Sequence, residues 1–444
     1  MPEPHSARGW LSPTAAQREA EVLRTLDALA PGDVAGWVAQ RLAASRVLHE
    51  RTCWNLNPAA NVLDPRAEAL LAAGAGTRPS LGHAGEKYET GLEELEQVEV
   101  AAAALARAVF GARHAEVRLP SGATSNLTAF LAAGRPGDVL VAPPASIGGH
   151  VTHHADGAAG LAGFRTVSAP VDAANHTVDV DALARLARRE HPAVITLGTS
   201  CNLHPHPVAA VREVADAVGA VLVFDAAHVA GLLAGGAWES PLRQGAHVVS
   251  MSTYKSLAGP AGGLLLTDDD TIAERLDAIA YPGLTANFDV GRVAALAVTL
   301  AGWLQDGPAY AAAMVATAAA LAEALQAAGA PLHTPEAGAC SGHVLALRAD
   351  GHGGGDALAR RLRRANLLAS GIGLPVDHTG PGPAGLRIGT NELVRFGFGP
   401  GDAPELAALL VAALDGPPEA VAADVTAHRA RFPRLHHLGA PATT

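Results

Sequence analysis

Lysine is almost absent from this sequence. Among 444 residues with 32 basic side chains, only Lys87 and Lys255 are lysines, and the rest of the basic residues are arginines. Chemistry that needs a side-chain amine therefore has two candidates. The scarcity fits a composition biased towards arginine and alanine, but it also makes the position of each lysine informative.

Cysteine and positive charge are scarce as well. Cys53, Cys201 and Cys340 form no CxxC motif and cannot all pair, which excludes a disulfide framework and favours a reducing, cytoplasmic compartment. The formal net charge is −11, and no basic stripe is visible. We therefore expect no binding of nucleic acid.

Long hydrophobic runs are also missing. The apolar stretches are interrupted by Arg, Asp or Gly before they reach the length of a membrane span, so no membrane segment is predicted. Residues 1–14 contain no apolar region typical of a secretory signal, and we expect none. His153 and His154 are adjacent, but no third ligand is evident, so no metal site is predicted.

The first part of the chain is rich in helical patterns. Residues 1–50 predict a helical arm that is interrupted at Pro31. A capping box from Thr90 to Glu93 predicts the start of another helix, and Gly111 predicts its end. The four glutamates in the first two turns of that helix are expected to form a solvated face.

Further along, short apolar runs alternate with helical stretches. The predicted strands are residues 138–142, 165–169, 193–197, 221–224, 247–251 and 263–266. Such runs, spaced by helices, indicate strands buried on both faces of a mostly parallel sheet. The sequence therefore predicts a large α/β domain over residues 51–305 and, where the pattern changes, a smaller α+β domain over residues 306–444.

Two of the predicted strands end in side chains that can carry chemistry. The strand 221–224 runs into Asp225, with His228 three residues later, and the strand 247–251 leads to Ser252 and Lys255. In an open α/β sheet, ligands bind beyond the carboxyl ends of the strands. The alternatives are an aspartate that only ends a strand and a lysine that only precedes a surface loop.

Together these groups match the needs of pyridoxal phosphate (PLP). This cofactor requires a lysine for its Schiff base and a carboxylate against its pyridine nitrogen, which Lys255 and Asp225 can supply. The hydroxyls and the glycine-rich turn near Lys255 can donate to a phosphate. The sequence therefore indicates a PLP site at the edge of the sheet.

Five motifs in order resemble the serine hydroxymethyltransferase family of fold-type I PLP-dependent enzymes. They lie at residues 119–126, 148–153, 225–232, 253–263 and 385–390. The resemblance implies an α/β fold with a mostly parallel seven-stranded sheet, helices on both faces and a smaller C-terminal α+β domain. It also implies a homodimer, or a dimer of dimers, with the active site at the subunit interface.

The resemblance further assigns roles to individual residues. Lys255 would form the Schiff base, Asp225 would hold the pyridine nitrogen, His150 would stack on the ring, and Arg387 would bind the substrate carboxylate with Tyr88 as a further substrate contact. The implied cofactor-binding residues are Ser121, Gly122, Ala123, His150, Ser200, Asp225, His228, Ser252, Lys255, Gly262 and Gly263, the last two facing the phosphate of a neighbouring subunit.

Departures from the family point to a change in the reaction. The family's Ser-Glu-Asn motif becomes Ala59-Ala60-Asn61, and the glutamate tied to folate chemistry becomes Leu81. Neither alanine nor leucine can transfer a proton, and one active-site tyrosine of the family becomes Glu89. We therefore expect a folate-independent relative that does not use tetrahydrofolate.

The predicted reaction is cleavage or formation of the Cα–Cβ bond of a β-hydroxy-α-amino acid. It would run through an aldimine and a glycine or alanine quinonoid, as in an aldolase, transaldolase or hydroxymethyltransferase-like enzyme, with an α-methylserine-type enzyme as a close variant. The substrates would be a small amino acid and an aldehyde. Candidates for the proton transfers are His150, His228, Tyr254 and Glu89.

Two alternatives remain at this stage. One is another fold-type I PLP reaction, carried out by an aminotransferase, racemase, decarboxylase or condensing enzyme. The other is a non-catalytic PLP-binding protein, which the loss of the family's glutamates would favour.

Overall fold

The computed structural model describes residues 8–439, and the chain divides into two compact units, residues 1–53 and 54–444. The helices are α1 (Pro13–Asp27), α2 (Val34–Val47), α3 (Pro65–Leu71), α4 (Glu93–Phe110), α5 (Gly122–Ala133), α6 (Ala158–Leu161), α7 (Val180–Glu190), α8 (Val208–Val218), α9 (Ala230–Ala234), α10 (Asp270–Ala278), α11 (Val290–Ala327), α12 (Gly355–Arg364), α13 (Asn391–Arg395), α14 (Ala403–Asp415) and α15 (Ala422–Ala430). The strands are β1 (Trp54–Asn55), β2 (His114–Glu116), β3 (Val139–Ala142), β4 (Arg165–Ser168), β5 (Val171–Asp172), β6 (Thr177–Val178), β7 (Val194–Leu197), β8 (Val221–Asp225), β9 (Val248–Ser252), β10 (Gly263–Thr267), β11 (Val344–Arg348), β12 (Leu367–Leu368), β13 (Ser370–Ile372) and β14 (Gly385–Gly389).

The first unit holds α1 and α2, which lie where the sequence predicts two helices. The side chain of Ser12 accepts a hydrogen bond from the amide of Ala15 and caps α1. A short 3-10 turn at Pro31–Asp33 separates the two helices, because proline interrupts the helical hydrogen bonds there.

The second unit is built on a seven-stranded sheet in the order β2-β10-β9-β8-β7-β3-β4. Only β10 runs antiparallel to its neighbours, and the other pairs are parallel. The predicted mostly parallel α/β sheet is therefore confirmed. The short edge strand β2 was not predicted, since three residues of which two, His114 and Glu116, are polar give no apolar strand pattern.

Both faces of this sheet are covered. In β3, Val139 and Val141 belong to one hydrophobic core, and Leu140 and Ala142 belong to another. The first core includes residues of α4, α7, α8 and α11, and the second includes residues of α5, α6 and α10. Alternate residues of one strand thus point into two separate helical layers, which explains the continuous apolar runs in the sequence.

Helix α11 is long and apolar enough to cross a membrane by length and composition, the one such helix in the described part of the chain. It is broken at Asp306, where the backbone leaves helical geometry just before Pro308. Its buried side chains include Trp303, Tyr310 and Met314. A helix in the core of a folded domain passes the same test, and α11 contributes to the cores of the second unit.

The C-terminal part contains a three-stranded sheet in the order β11-β14-β13, all antiparallel. This sheet lies within residues 306–444, for which the sequence predicts a smaller α+β domain, and the domain boundary stays a prediction. A two-stranded parallel pairing joins β1 to β12, and Trp54 belongs to the same core as the C-terminal helices. The beginning of the second unit thus packs with its end.

The predicted capping box at Thr90 is wrong. Helix α4 begins at Glu93 with Leu92 as the N-cap residue, and no side chain caps it. Gly91 has a φ of +81°, so the chain turns there and carries Thr90 away from the cap position. The predicted end is correct, because Gly111 adopts a left-handed conformation with a φ of +65°.

The glutamates of α4 do not all lie on a solvated face. Glu99 is 11% exposed, and its carboxylate lies 2.6 Å from the Nζ atom of Lys87, whose side chain is 2% exposed. Lys87 also donates to the carbonyl oxygen of Gly82, and Ser80 donates to Glu99. The second lysine of the chain therefore forms a buried ion pair that fastens the loop before α4.

We predict that Lys87→Met destabilises the protein by about 3–5 kcal/mol, because it leaves the carboxylate of Glu99 buried without its counterion. Urea unfolding of the variant measures this loss. The double variant with Glu99→Met should recover most of it, and Glu94→Gln on the exposed face should change the free energy of unfolding by less than about 0.5 kcal/mol. Wild-type stability of Lys87→Met would contradict the role of the pair.

Candidate active site

The carboxyl ends of β7, β8 and β9 and the N-terminus of α5 line an open pocket of about 150 Å³. Most of the predicted site residues meet there. The lining consists of Ser121, Gly122, Ala123, Asn126, His150, Thr199, Ser200, Asp225, Ala227, His228, Ser252, Tyr254 and Lys255.

Asp225 ends β8 and is 7% exposed. Its Oδ2 atom accepts hydrogen bonds from His153 Nε2 at 3.0 Å and from Asn126 Nδ2 at 2.9 Å, and its Oδ1 atom accepts one from the amide of Ala227. Burial alone would raise the pKa of Asp225, but His153, Lys255 and Asn126 together hold it well below its ordinary value. The carboxylate is therefore ionised and can stabilise a protonated ring nitrogen.

The groups that hold Asp225 are themselves fixed. Asn126 accepts a hydrogen bond from the hydroxyl of Ser250 at 2.6 Å, and His153 Nδ1 lies 2.9 Å from the hydroxyl of Thr196. Asn126 is not among the site residues predicted from the sequence, and His153 is predicted neither to bind a cofactor nor, with His154, to hold a metal. The sequence signal for both is that each is the last residue of a motif that resembles the family, Asn126 at 119–126 and His153 at 148–153.

Lys255 follows β9 and is 7% exposed. Its Nζ atom lies 3.2 Å from His228 Nε2, and its carbonyl oxygen accepts a hydrogen bond from Asn61. Burial, together with the positive charge of Arg387 and against the opposing effect of Asp225, lowers the pKa of Lys255 to about 8. A useful fraction of uncharged amine, the form that attacks a carbonyl carbon, is thus present near neutral pH.

His228 lies between two positive groups. Its Nε2 atom is 3.2 Å from Lys255 Nζ and 3.2 Å from Arg387 Nη1. Burial and these two cations lower the pKa of His228 far below its usual value. The ring is therefore neutral, with Nε2 as the acceptor and the proton on Nδ1, which has no hydrogen-bond partner among residues 8–439.

Arg387 lies on β14 and is not itself part of the pocket lining, but it contacts two lining residues, Ser200 and His228. Its Nη1 atom also donates to the carbonyl oxygen of Ser200, and its Nε atom donates to the hydroxyl of Ser370 at 2.9 Å. Burial lowers the pKa of Arg387, and no acidic side chain of the described residues forms an ion pair with it. Its positive charge is thus available to an incoming carboxylate.

The N-terminus of α5 forms the other end of the pocket. Ser121 caps this twelve-residue helix, and a Cβ atom on Gly122 would lie 2.9 Å from the Cβ atom of Ser252, so the helix touches β9 here. The hydroxyl of Ser252 is buried and has no partner within the described chain. A phosphate requires unpartnered donors of this kind beside a helix N-terminus. The residues present therefore fit both the phosphate of PLP, at Ser252 and α5, and its pyridine nitrogen, at Asp225.

The remaining proton-transfer candidates differ in position. Tyr254 is 39% exposed, and its ring lies 5.8 Å from Lys255 Nζ. His150 is half-buried, with Nδ1 2.8 Å from the hydroxyl of Thr152, and burial lowers its pKa. Both line the pocket, whereas Glu89 lies outside it, where it accepts a hydrogen bond from the amide of Leu81.

Three other predicted residues also lie outside the pocket of this chain. Tyr88 is 85% exposed. Gly262 and Gly263 pack inside the protein, and a Cβ atom on Gly263 would clash with the carbonyl oxygen of Ser121. The close approach of α5 to β10 explains this glycine, and the predicted cofactor contacts of both glycines remain predictions.

We predict that the reaction of cofactor-free protein with added PLP becomes faster as pH rises, with a midpoint near pH 8. The uncharged form of Lys255 is the reactive one, and its pKa is about 8 instead of the ordinary 10.5. Absorbance at a series of pH values measures the rate. Arg387→Leu should move the midpoint upward because it removes a cation, and a wild-type midpoint near the ordinary lysine value would contradict the environment described for Lys255.

Comparison with known proteins agrees with the geometry. The chain matches the serine hydroxymethyltransferase family over residues 51–410. A protein named alpha-methylserine aldolase from Variovorax paradoxus is 54% identical over 441 residues, which are 99% of this chain and 100% of that protein. Another of that name from a Ralstonia species is 52% identical over 89% of this chain and 90% of its own length.

A more distant relative carries the family name itself. Serine hydroxymethyltransferase from Methanopyrus kandleri is 38% identical over 391 residues, 87% of this chain and 91% of that protein. The predicted family, the fold type and Cα–Cβ bond chemistry on a β-hydroxy amino acid are confirmed by these matches. The chain therefore belongs to the serine hydroxymethyltransferase family of fold-type I, PLP-dependent enzymes.

Proposed function

We propose that this protein is a folate-independent aldolase for α-methylserine or a closely similar β-hydroxy-α-amino acid. With α-methylserine, cleavage of the Cα–Cβ bond releases formaldehyde, and protonation of the α-carbon yields alanine. The β-hydroxyl loses the proton that balances the reaction. The support from sequence is the set of relatives named alpha-methylserine aldolase, which are 52–54% identical to this chain.

The observation that carries the proposal is the meeting of Lys255 and Arg387 at His228. Both cationic groups lie 3.2 Å from the same Nε2 atom. An α-amino acid has an amine and a carboxylate on one carbon, so it can present its amine where Lys255 Nζ lies and its carboxylate to Arg387. The pocket thus selects an α-amino acid by two adjacent contacts.

Bound PLP would supply an electron sink for the pair of electrons released from the broken Cα–Cβ bond. The chain supplies the charges and the proton carriers. Asp225 would keep a proton on the ring nitrogen, and Ser252 with the N-terminus of α5 would hold the phosphate. Tyr254 and His150 face the pocket and are our candidates for removing the proton of the β-hydroxyl, because His228 Nε2 is occupied by two cations.

Independence from folate is part of the proposal. Ala60 and Leu81 occupy the positions where the family carries glutamates, and neither side chain can transfer a proton or bind a folate nitrogen. A reaction that releases free aldehyde needs no carrier for the one-carbon group. The loss of both glutamates therefore supports an aldolase over a hydroxymethyl transfer to tetrahydrofolate.

We also propose a homodimer in the cytoplasm. Large apolar side chains of the second unit remain exposed, among them Val100 at 56% and Leu304 at 51%. Tyr88 and Glu89 lie outside the pocket of their own chain, as expected if they serve the pocket of a partner. The low cysteine content and the absence of a CxxC motif support a reducing compartment.

We predict that the enzyme releases formaldehyde from α-methylserine at the same rate with and without added tetrahydrofolate. A colorimetric assay for formaldehyde measures the rate, with serine and threonine as comparison substrates. A requirement for tetrahydrofolate would contradict the folate-independent reaction. Faster release of aldehyde from serine than from α-methylserine would contradict the proposed substrate.

We predict that Lys255→Arg abolishes both the visible absorbance of the bound cofactor and the release of aldehyde. Arginine keeps the charge but forms no productive Schiff base. Lys87→Arg is the matched control for the substitution itself, because Arg can pair with Glu99 and residue 87 is not part of the pocket lining of its own chain, so the visible absorbance should persist. A Lys255→Arg protein that keeps the chromophore would overturn the assignment of the lysine.

A further inference from the structure

A cross-strand contact sets the position of Arg387. In the antiparallel pair β13–β14, Ser370 lies directly opposite Arg387, so the two side chains project from the same face of the sheet. The Nε atom of Arg387 donates to the hydroxyl oxygen of Ser370 at 2.9 Å. Ser370 in turn donates to the side-chain oxygen of Asn57 at 3.2 Å.

Asn57 is a firm anchor for this chain of hydrogen bonds. Its Oδ1 atom also accepts from the amide of Ala59 at 3.1 Å, and its carbonyl oxygen accepts from the amide of Ala60. Its own amide donates to the side chain of Asn55. The amide oxygen is therefore fixed by a turn of the backbone, and the relay from Asn57 to Arg387 is held at both ends.

The contacts of Arg387 leave one edge of the guanidinium free. Nε is held by Ser370, and Nη1 is held by the carbonyl oxygen of Ser200 and by His228. Nη2 has no hydrogen-bond partner within the described chain. Ser370 fixes the plane of the group without adding a negative charge, whereas an aspartate at this position would pair with Arg387 and compete with a substrate carboxylate.

We propose that Ser370, held by Asn57, is a positioning residue that orients Arg387 towards the carboxylate of the amino acid substrate. This inference rests on the proposed role of Arg387 in binding that carboxylate. Without the hydroxyl, the long side chain of Arg387 regains rotational freedom, and part of the binding free energy is lost to ordering it again.

The first test is the kinetics of Ser370→Ala in the PLP-loaded enzyme. We expect KM for α-methylserine to rise about tenfold, the size of one lost hydrogen bond to a charged group, with a smaller change in kcat. Ser370→Thr keeps the hydroxyl and should restore KM. Ser370→Asp should raise KM further than Ser370→Ala, because the new carboxylate pairs with Arg387 and competes with the substrate. If the role of Ser370 were purely structural, the KM values of the three variants would not follow this order.

A second readout separates carboxylate binding from general damage. The dissociation constants of alanine and of alanine methyl ester are measured through the change in cofactor absorbance. Ser370→Ala should weaken binding of alanine but not of the ester, which lacks the negative charge. Ser168→Ala, an exposed serine at the end of β4, is the matched control and should change neither constant. Asn57→Ala should act in the same direction as Ser370→Ala, and more weakly.

The outcomes are distinct for the two proposals. If Arg387→Leu leaves the binding of alanine unchanged, the proposed role of Arg387 fails and this inference fails with it. If Arg387→Leu weakens binding but Ser370→Ala behaves like the wild type, or weakens the ester equally, only the positioning role of Ser370 is overturned. Should Ser370→Ala not fold, the comparison of Ser370→Thr with Asn57→Ala decides in the same way.

Discussion

The ionised carboxylate of Asp225 inside the protein is the constraint on which the site depends. A buried carboxylate is costly unless hydrogen bonds and positive charge compensate it, and here Asn126 and His153 both donate to the same oxygen. These donors come from α5 and from the loop after β3, while Asp225 ends β8. The charge therefore requires three parts of the chain to be in place together. It also fixes Asn126 and Asp225, which both line the pocket, relative to each other.

The electrostatics of the pocket follow from this charge. Asp225 opposes the effect of burial on Lys255, so the pKa of the lysine falls to about 8 and no further. Arg387 acts in the other direction, and His228 accepts between the two cations with a pKa far below the ordinary range of histidine. His228 stays neutral throughout the working pH range. Among Lys255, His228 and Arg387, Lys255 is therefore the group whose protonation changes with pH.

The sequence predicted those parts of the structure that leave a local pattern. Strands buried on both faces are continuous apolar runs, and a strand that ends in Asp225 or leads to Lys255 marks the reactive edge of the sheet. The partners of Asp225 left no such pattern, since Asn126 and His153 are 99 and 72 residues away from it in the chain. The burial of Glu99 was missed for the same reason, because its lysine partner approaches from a preceding loop and not from α4.

The charge of Arg387 has no acidic partner, and this arrangement favours the binding of a carboxylate over the stability of the folded protein. An acidic neighbour would stabilise a buried guanidinium, yet it would also cancel the charge that attracts a carboxylate. The protein instead surrounds Arg387 with neutral acceptors, namely a backbone carbonyl oxygen, the ring of His228 and the hydroxyl of Ser370. These contacts satisfy the hydrogen-bonding geometry of the guanidinium and leave its charge uncompensated, as our proposal that Arg387 binds the carboxylate of the substrate requires.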